Sequence, residues 1–132
     1  MILVDTSVLI DFIEGRENAA AARFREVLDR DIPFGISPIT VLEVLQGART
    51  EKDLKVLQEY LRSQLSYDLV RGLDSYVEAA KICSRLRKKG MALGSSIDGL
   101  IAETAIEHGL YLLHNDSDFE RIANASSLKI WS

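Results

Sequence analysis

ILVDTSVLID, residues 2–11, sets two short apolar runs around a single carboxylate. Ile2 to Val4 read as a buried strand and Ser7 to Glu14 as the helix that follows it. Asp5 lies between them and is the only charge before Asp11. A buried strand running straight into a helix is the opening unit of an α/β fold. A carboxylate in such company costs free energy unless a helix cap, a basic partner or a metal ion compensates it.

The alternation continues outward. Glu17 to Arg30 place Ala20, Phe24, Val27 and Leu28 at helical spacing. Pro33 to Ile36 read as a strand. Ser37 and Pro38 then supply a cap and a first-turn proline for a helix reaching about Ala48. Glu51 to Gln64 predict another, with Leu54, Leu57, Leu61 and Leu65 inward. Tyr67 to Val70 are a candidate strand. Leu73 to Lys89 form a long helix stopped by Gly90, and Ser96 to His108 one stopped by Gly109. Tyr111 to Leu113 read as a strand, Asp118 to Ala123 as a short helix and Leu128 to Trp131 as a last strand. Strands alternating with helices predict a mainly parallel sheet covered on both faces. With no repeat or linker, one domain over residues 1–132 is expected. Ligands in such folds bind at the carboxyl ends of strands, so Asp5 and Asp116 belong on one edge. The sequence leaves open at which end of the sheet Asp98 falls.

The composition narrows the class. Apolar residues make up 47% and charged residues 27%, an ordinary globular mixture. No apolar run approaches the roughly 20 residues of a membrane span. The first residues lack the basic start and cleavage site of a signal peptide. Cys83 is the only cysteine, which excludes an internal disulfide. These features point to the cytoplasm. The net charge of -4 counts against nucleic acid, because phosphate binding favours basic surface.

Charge isolation is the sharpest signal. Glu43 is the only charge from Ile32 to Ala48, and Asp98 the only one from Gly90 to Ala102. Asp116 follows Tyr111–Asn115, and Asp118 comes two residues later. Each acid has an ordinary reading. Asp5 can cap the first helix, Glu43 can form a capping box with Thr40, Asp98 can do so with Ser95, and Asp116 or Asp118 can cap the short helix. Together these readings weaken, because carboxylates gathered at a sheet edge repel one another. A carboxylate cluster without His or Cys is a site for a hard cation, Mg²⁺ or Mn²⁺.

Four blocks in order carry a resemblance over essentially the whole chain: VDTSVLID (4–11), TVLEVLQGA (40–48), SSIDGLIAETAIEHG (95–109) and LLHNDSDFERIA (112–123). The chain resembles the PIN-domain nucleases, specifically the VapC-type toxins of toxin–antitoxin pairs. The resemblance implies a three-layer α/β/α sandwich with a five-stranded sheet and a metal-dependent endoribonuclease leaving 5′-phosphate and 3′-hydroxyl ends. Asp5, Glu43, Asp98 and Asp116 are similar to the family's catalytic, metal-binding quartet. Asp118 resembles a supporting acid for a second metal or water, Thr6 and Ser7 the hydroxyls behind the first acid, and Asn115 the amide beside the fourth. Mg²⁺ is the implied cofactor, with Mn²⁺ substituting. A homodimer and an antitoxin whose tail covers the groove are the implied partners.

In that setting Asp5 and Asp116 are expected to touch the metal, with Glu43 and Asp98 holding waters or a second ion, one of them taking the attacking water's proton. Setting aside the five site acids leaves 15 acids against 16 bases, which softens the charge objection. Arg85, Arg87, Lys88 and Lys89 form a basic run that either favours a helix dipole or contacts RNA. Arg16, Arg49 and Arg121 lie near the site blocks. His114 reads as a packing or hydrogen-bonding residue, His108 as a helix end and Cys83 as core. The leucines of 54–65 read as mostly core, any excess forming a dimer or antitoxin surface. Two rivals stand beside this reading. A haloacid dehalogenase-like phosphatase also puts Asp after its first strand but needs an acid where Ser7 stands. A non-catalytic PIN-like module binding RNA or protein fits poorly with an intact quartet, because buried like charges are costly without a metal.

Overall fold

Five short strands form the centre of the computed structural model, which describes residues 1–132. They are β1 (Ile2–Val4), β2 (Phe34–Ile36), β3 (Leu65–Ser66), β4 (Tyr111–Leu113) and β5 (Lys129–Ile130). The order across the sheet is β3-β2-β1-β4-β5 and every pairing is parallel. Parallel neighbours need crossovers, and helices supply them. These are α1 (Thr6–Ile13), α2 (Ala19–Asp29), α3 (Pro38–Gln46), α4 (Glu51–Arg62), α5 (Leu73–Lys88), α6 (Ile97–His108) and α7 (Ser117–Ala125).

The strand period of two sorts the central residues between two cores. Ile2 and Val4 pack with Val8, Phe24, Val44 and Leu61 from α1–α4. Leu3 turns the other way, onto Ile82, Leu86, Ile101, Phe119 and Ile122 from α5–α7. In β4, Leu113 joins the first core and Leu112 the second. The expected three-layer α/β/α sandwich is thus the observed architecture.

Three local expectations fail. The third strand lies at Leu65–Ser66, before the expected Tyr67–Val70. Tyr67 N–H adds one more bond to Ile36 O at 2.8 Å. Asp68 then bonds the Leu69 N–H at 2.8 Å, and Val70 N–H leaves for Glu107. That local side-chain bond competes with the ladder and ends it. Second, the inward leucine row of α4 is incomplete. Leu61 is buried and Leu57 packs against the core, but Leu54 is 38% and Leu65 56% exposed. The helix ends at Arg62, so Leu65 sits on an edge strand rather than on the helical row. Third, Cys83 is only half-buried. It faces Gly99 across the α5–α6 contact, where an added Cβ would come within 2.9 Å of Sγ. No helix is long and apolar enough to cross a membrane.

Candidate active site

The carboxyl edge of the sheet is built by β1 and β4. The ladder runs one bond past the strands, from Asp5 N–H to Leu113 O at 2.9 Å. Asp5 is the N-cap of α1, its Oδ2 accepting from the Ser7 N–H at 3.1 Å and the Ser7 hydroxyl at 2.6 Å. Ser7 Oγ in turn accepts from the Asn115 N–H at 3.2 Å, tying the two strand ends together. Asp116 is the N-cap of α7, accepting from the Asp118 N–H at 2.9 Å. Both acids therefore cap helices, as ordinary N-cap aspartates do.

Glu43 does not form the capping box with Thr40. Ser37 caps α3, accepting from the Ile39 N–H, and leaves Glu43 on the helix's inner face. There Glu43 Oε1 accepts from the Thr6 hydroxyl at 2.7 Å, and Thr40 Oγ1 lies 3.0 Å from Thr6 Oγ1. Asp98 makes no reciprocal cap either. Ser95 Oγ accepts from the Ile97 N–H, and Asp98 stands in the first turn of α6. This places the start of α6 on the same edge as Asp5 and Asp116. Asp118 accepts from the Gly94 N–H at 3.2 Å and pairs with Arg121 at 2.6 Å.

The acids converge. Ligand oxygens of Asp98, Asp116 and Asp118 all lie within 4.8 Å of one another. Asp98 is pushed up to about 7, first by burial and then by Asp5, Asp116, Asp118 and Glu43, all four acting in the same direction. Burial also raises Asp5, against the two Ser7 bonds and with a push from Glu43. Repulsion of this kind is what a cation relieves. The donors are oxygen only. Both ring nitrogens of buried His114 are occupied, Nδ1 accepting the Asp116 N–H at 3.1 Å and Nε2 lying 3.1 Å from Glu120. The set fits a hard divalent cation held by carboxylates.

A model of the PIN domain matches residues 2–125. The chain belongs to the PIN domain family. Its relatives include the ribonuclease VapC51 of Mycobacterium tuberculosis, 35% identical over 122 residues, which are 92% of this chain and 84% of that protein. The ribonuclease VapC11 of the same species is 29% identical over 130 residues, 98% of this chain and 96% of its own. Among solved structures, DNA-bound VapBC from Salmonella typhimurium matches with TM-score 0.74 at 25% identity, covering 98% of this chain and 96% of that one. FitAcB from Neisseria gonorrhoeae matches with TM-score 0.71 at 25% identity, covering 100% and 97%.

In this PIN domain the groups that position the acids are only partly those the sequence points to. Asn115 reaches the cluster only through its backbone, since its side chain donates to Asp11 Oδ2 at 3.2 Å. Asp11 gathers Asn115, Asn18 and Arg16, and its carboxyl is held below the usual range, chiefly by Asn18. Thr40 and the Gly94 N–H are silent in the sequence as site groups. A buried hydroxyl in an apolar helix is a weak hint of the first, and a backbone N–H gives none.

Proposed function

We propose that this PIN domain is a Mg²⁺- or Mn²⁺-dependent endoribonuclease acting as the toxin of a cytoplasmic toxin–antitoxin pair. The observation that carries the reading is the convergence of four carboxylates on a fifth, Asp98, whose proton affinity all four raise. A divalent cation at such a site supplies an acidic water and offsets charge building on the phosphate.

The chain's own groups then have distinct tasks. Asp98, Asp116 and Asp118 would hold the cation, with Asp5 completing the set from the end of β1. Ser7 fixes Asp5 in one orientation through two bonds to a single oxygen. Thr6 fixes Glu43 by Oε1 alone, leaving Oε2 to take a proton from the attacking water. Arg121, paired with Asp118 at the edge of the cluster, adds positive charge beside the phosphate.

Two surfaces support the partners this reading names. Leu73, Tyr76 and Val77 stand 80%, 55% and 43% exposed on α5, an apolar stripe suited to a second copy. A cleft of about 510 Å³ places Ile13, Val56 and Leu57 beside Arg49 and Lys52, with Arg16 paired to Glu14 and with Asp53 also in the lining, which suits an antitoxin tail held chiefly by apolar anchors. The likeness to VapBC supports the antitoxin assignment.

The test is cleavage of small RNA by the purified protein with Mg²⁺, Mn²⁺ or EDTA, beside Asp5→Asn. Discrete fragments with 5′-phosphate ends, present only with metal and wild-type protein, are expected. Cleavage that survives EDTA, or Asp5→Asn as active as wild type, contradicts the assignment.

A further inference from the structure

Away from the carboxylate cluster, a polar cleft of about 600 Å³ opens between α5, α6 and α7. Arg71, Arg85, Lys89, Glu103, Asn124 and Ser127 line it. None of its three cations forms an ion pair. One acid of the cleft, half-buried Glu78, is already paired with Lys81 at 3.1 Å. Glu103 is the other acid, only 4% exposed. Its carboxyl is pushed up to about 7, by burial first and then by Glu107 and Glu78, with Arg71 opposing. Near neutral pH it therefore carries only part of a negative charge, and the cleft is positive. Arg85 and Lys89, free of ion pairs, and Arg71, only partly offset by Glu103 and Glu107, stand beside hydroxyl and amide donors and form an anion site.

Two elements run from the cleft to the cluster. α7 starts at the Asp116 cap and ends beside the cleft at Asn124–Ala125. Lys89 opens the loop whose Gly94 N–H closes on Asp118. We propose that this cleft is an exosite for the substrate's sugar–phosphate backbone, with Lys89 and Arg85 holding phosphates on the cluster side and Arg71 one farther along. This rests on the ribonuclease reading and extends it to how a strand is tracked beyond the cut.

The assignment divides the basic run. Arg85 and Lys89 are four residues apart and share one helix face. Arg87 points elsewhere, lining a separate apolar pocket with Tyr76, Ala79 and Cys83. Lys88 does not line the cleft. RNA is favoured over an acidic protein segment because the lining offers only Ile82, Ile106 and Ala125 as apolar contact, with no aromatic anchor.

The experiment measures affinity for a short single-stranded RNA in EDTA, which stops metal-dependent cleavage, across a salt series. Arg85→Glu with Lys89→Glu is compared with Arg87→Glu with Lys88→Glu, an identical charge change on the same turns. Arg71→Gln is a milder third variant, and circular dichroism checks folding. The cleft pair is expected to lose affinity roughly tenfold and to flatten the log–log salt slope by about 0.7 for each phosphate no longer neutralised. Arg71→Gln is expected to lose a smaller part, and the control pair to keep its slope. Equal loss in both pairs, or none in either, overturns the exosite. So does unchanged RNA affinity with lost binding of polyaspartate, which would assign the cleft to an acidic protein segment. Wild-type cleavage with Mn²⁺ is run in parallel. If it persists while the cleft variants bind normally, the exosite falls and the nuclease assignment stands.

Discussion

Asp116 shows how one carboxylate serves both folding and chemistry. It caps α7 through Asp118 N–H, and its charge is one of four pressing on Asp98. Capping needs an oxygen acceptor but no charge, so Asn caps about as well as Asp, while Ala costs about 1 kcal/mol. Asp116→Asn, which keeps the cap and removes one repelling charge, is therefore expected to melt at or above wild type in EDTA and to lose RNA cleavage, whereas Asp116→Ala loses the cap as well as cleavage. Thermal melts and cleavage assays on the two variants check this. Equal destabilisation by Asn and Ala would mean that the charge, not the acceptor, holds α7 in place. At this scale the sequence is informative about acids and blind to their supports. Asp5, Glu43, Asp98 and Asp116 stand out because each is a lone charge in an apolar stretch. Asp11 does not, because its charge is followed by other charges, and its partners Asn18 and Asn115 are far away in sequence.

The start of α6 depends on how closely α5 approaches it. Gly99 follows Asp98, and a Cβ there would stand 2.9 Å from Cys83 Sγ and 3.4 Å from Ala79 O. Overpacking a tight contact costs about 1–3 kcal/mol. Gly99→Ala is expected to destabilise by that order and to reduce cleavage by displacing Asp98. Adding Cys83→Ala removes the crowding sulfur and is expected to restore part of both, which a double-mutant cycle in denaturant would measure. Additive effects would show that the backbone of α5, not Cys83, sets the spacing. The helices are legible in the sequence because their apolar spacing, caps and stop glycines agree. The third strand is not: β3 has two exposed residues, and the side-chain bond within Asp68–Leu69 that ends it has no apolar signature. The sequence order of elements also leaves Asp98 unplaced, because two helices precede it without a strand between them. Only packing of α6 against Leu3 and Leu112 puts its first turn on the carboxyl edge.

For the whole molecule, the cluster makes the metal-free fold work against itself. Asp98 rises from 3.8 to about 7, so between those values the folded state holds a proton that the unfolded chain has released. Stability of the metal-free protein therefore falls as pH rises through that window, and the loss is complete above about 7. Asp98→Asn removes the charge and its share of that pH dependence, while Glu103, also pushed up to about 7, keeps its own. A cation bound to the folded state reverses the balance, contributing about 2.7 kcal/mol at a hundredfold excess over its Kd. The most direct measurement is the melting temperature of wild type and Asp98→Asn above neutral pH, in EDTA and in saturating Mn²⁺. In EDTA the variant is expected to melt above wild type. In Mn²⁺ the order is expected to reverse, because wild type gains the larger metal stabilisation. If Asp98→Asn melts below wild type in EDTA, or if Mn²⁺ leaves wild type unmoved, the carboxylates are not a cation site held together against their own repulsion.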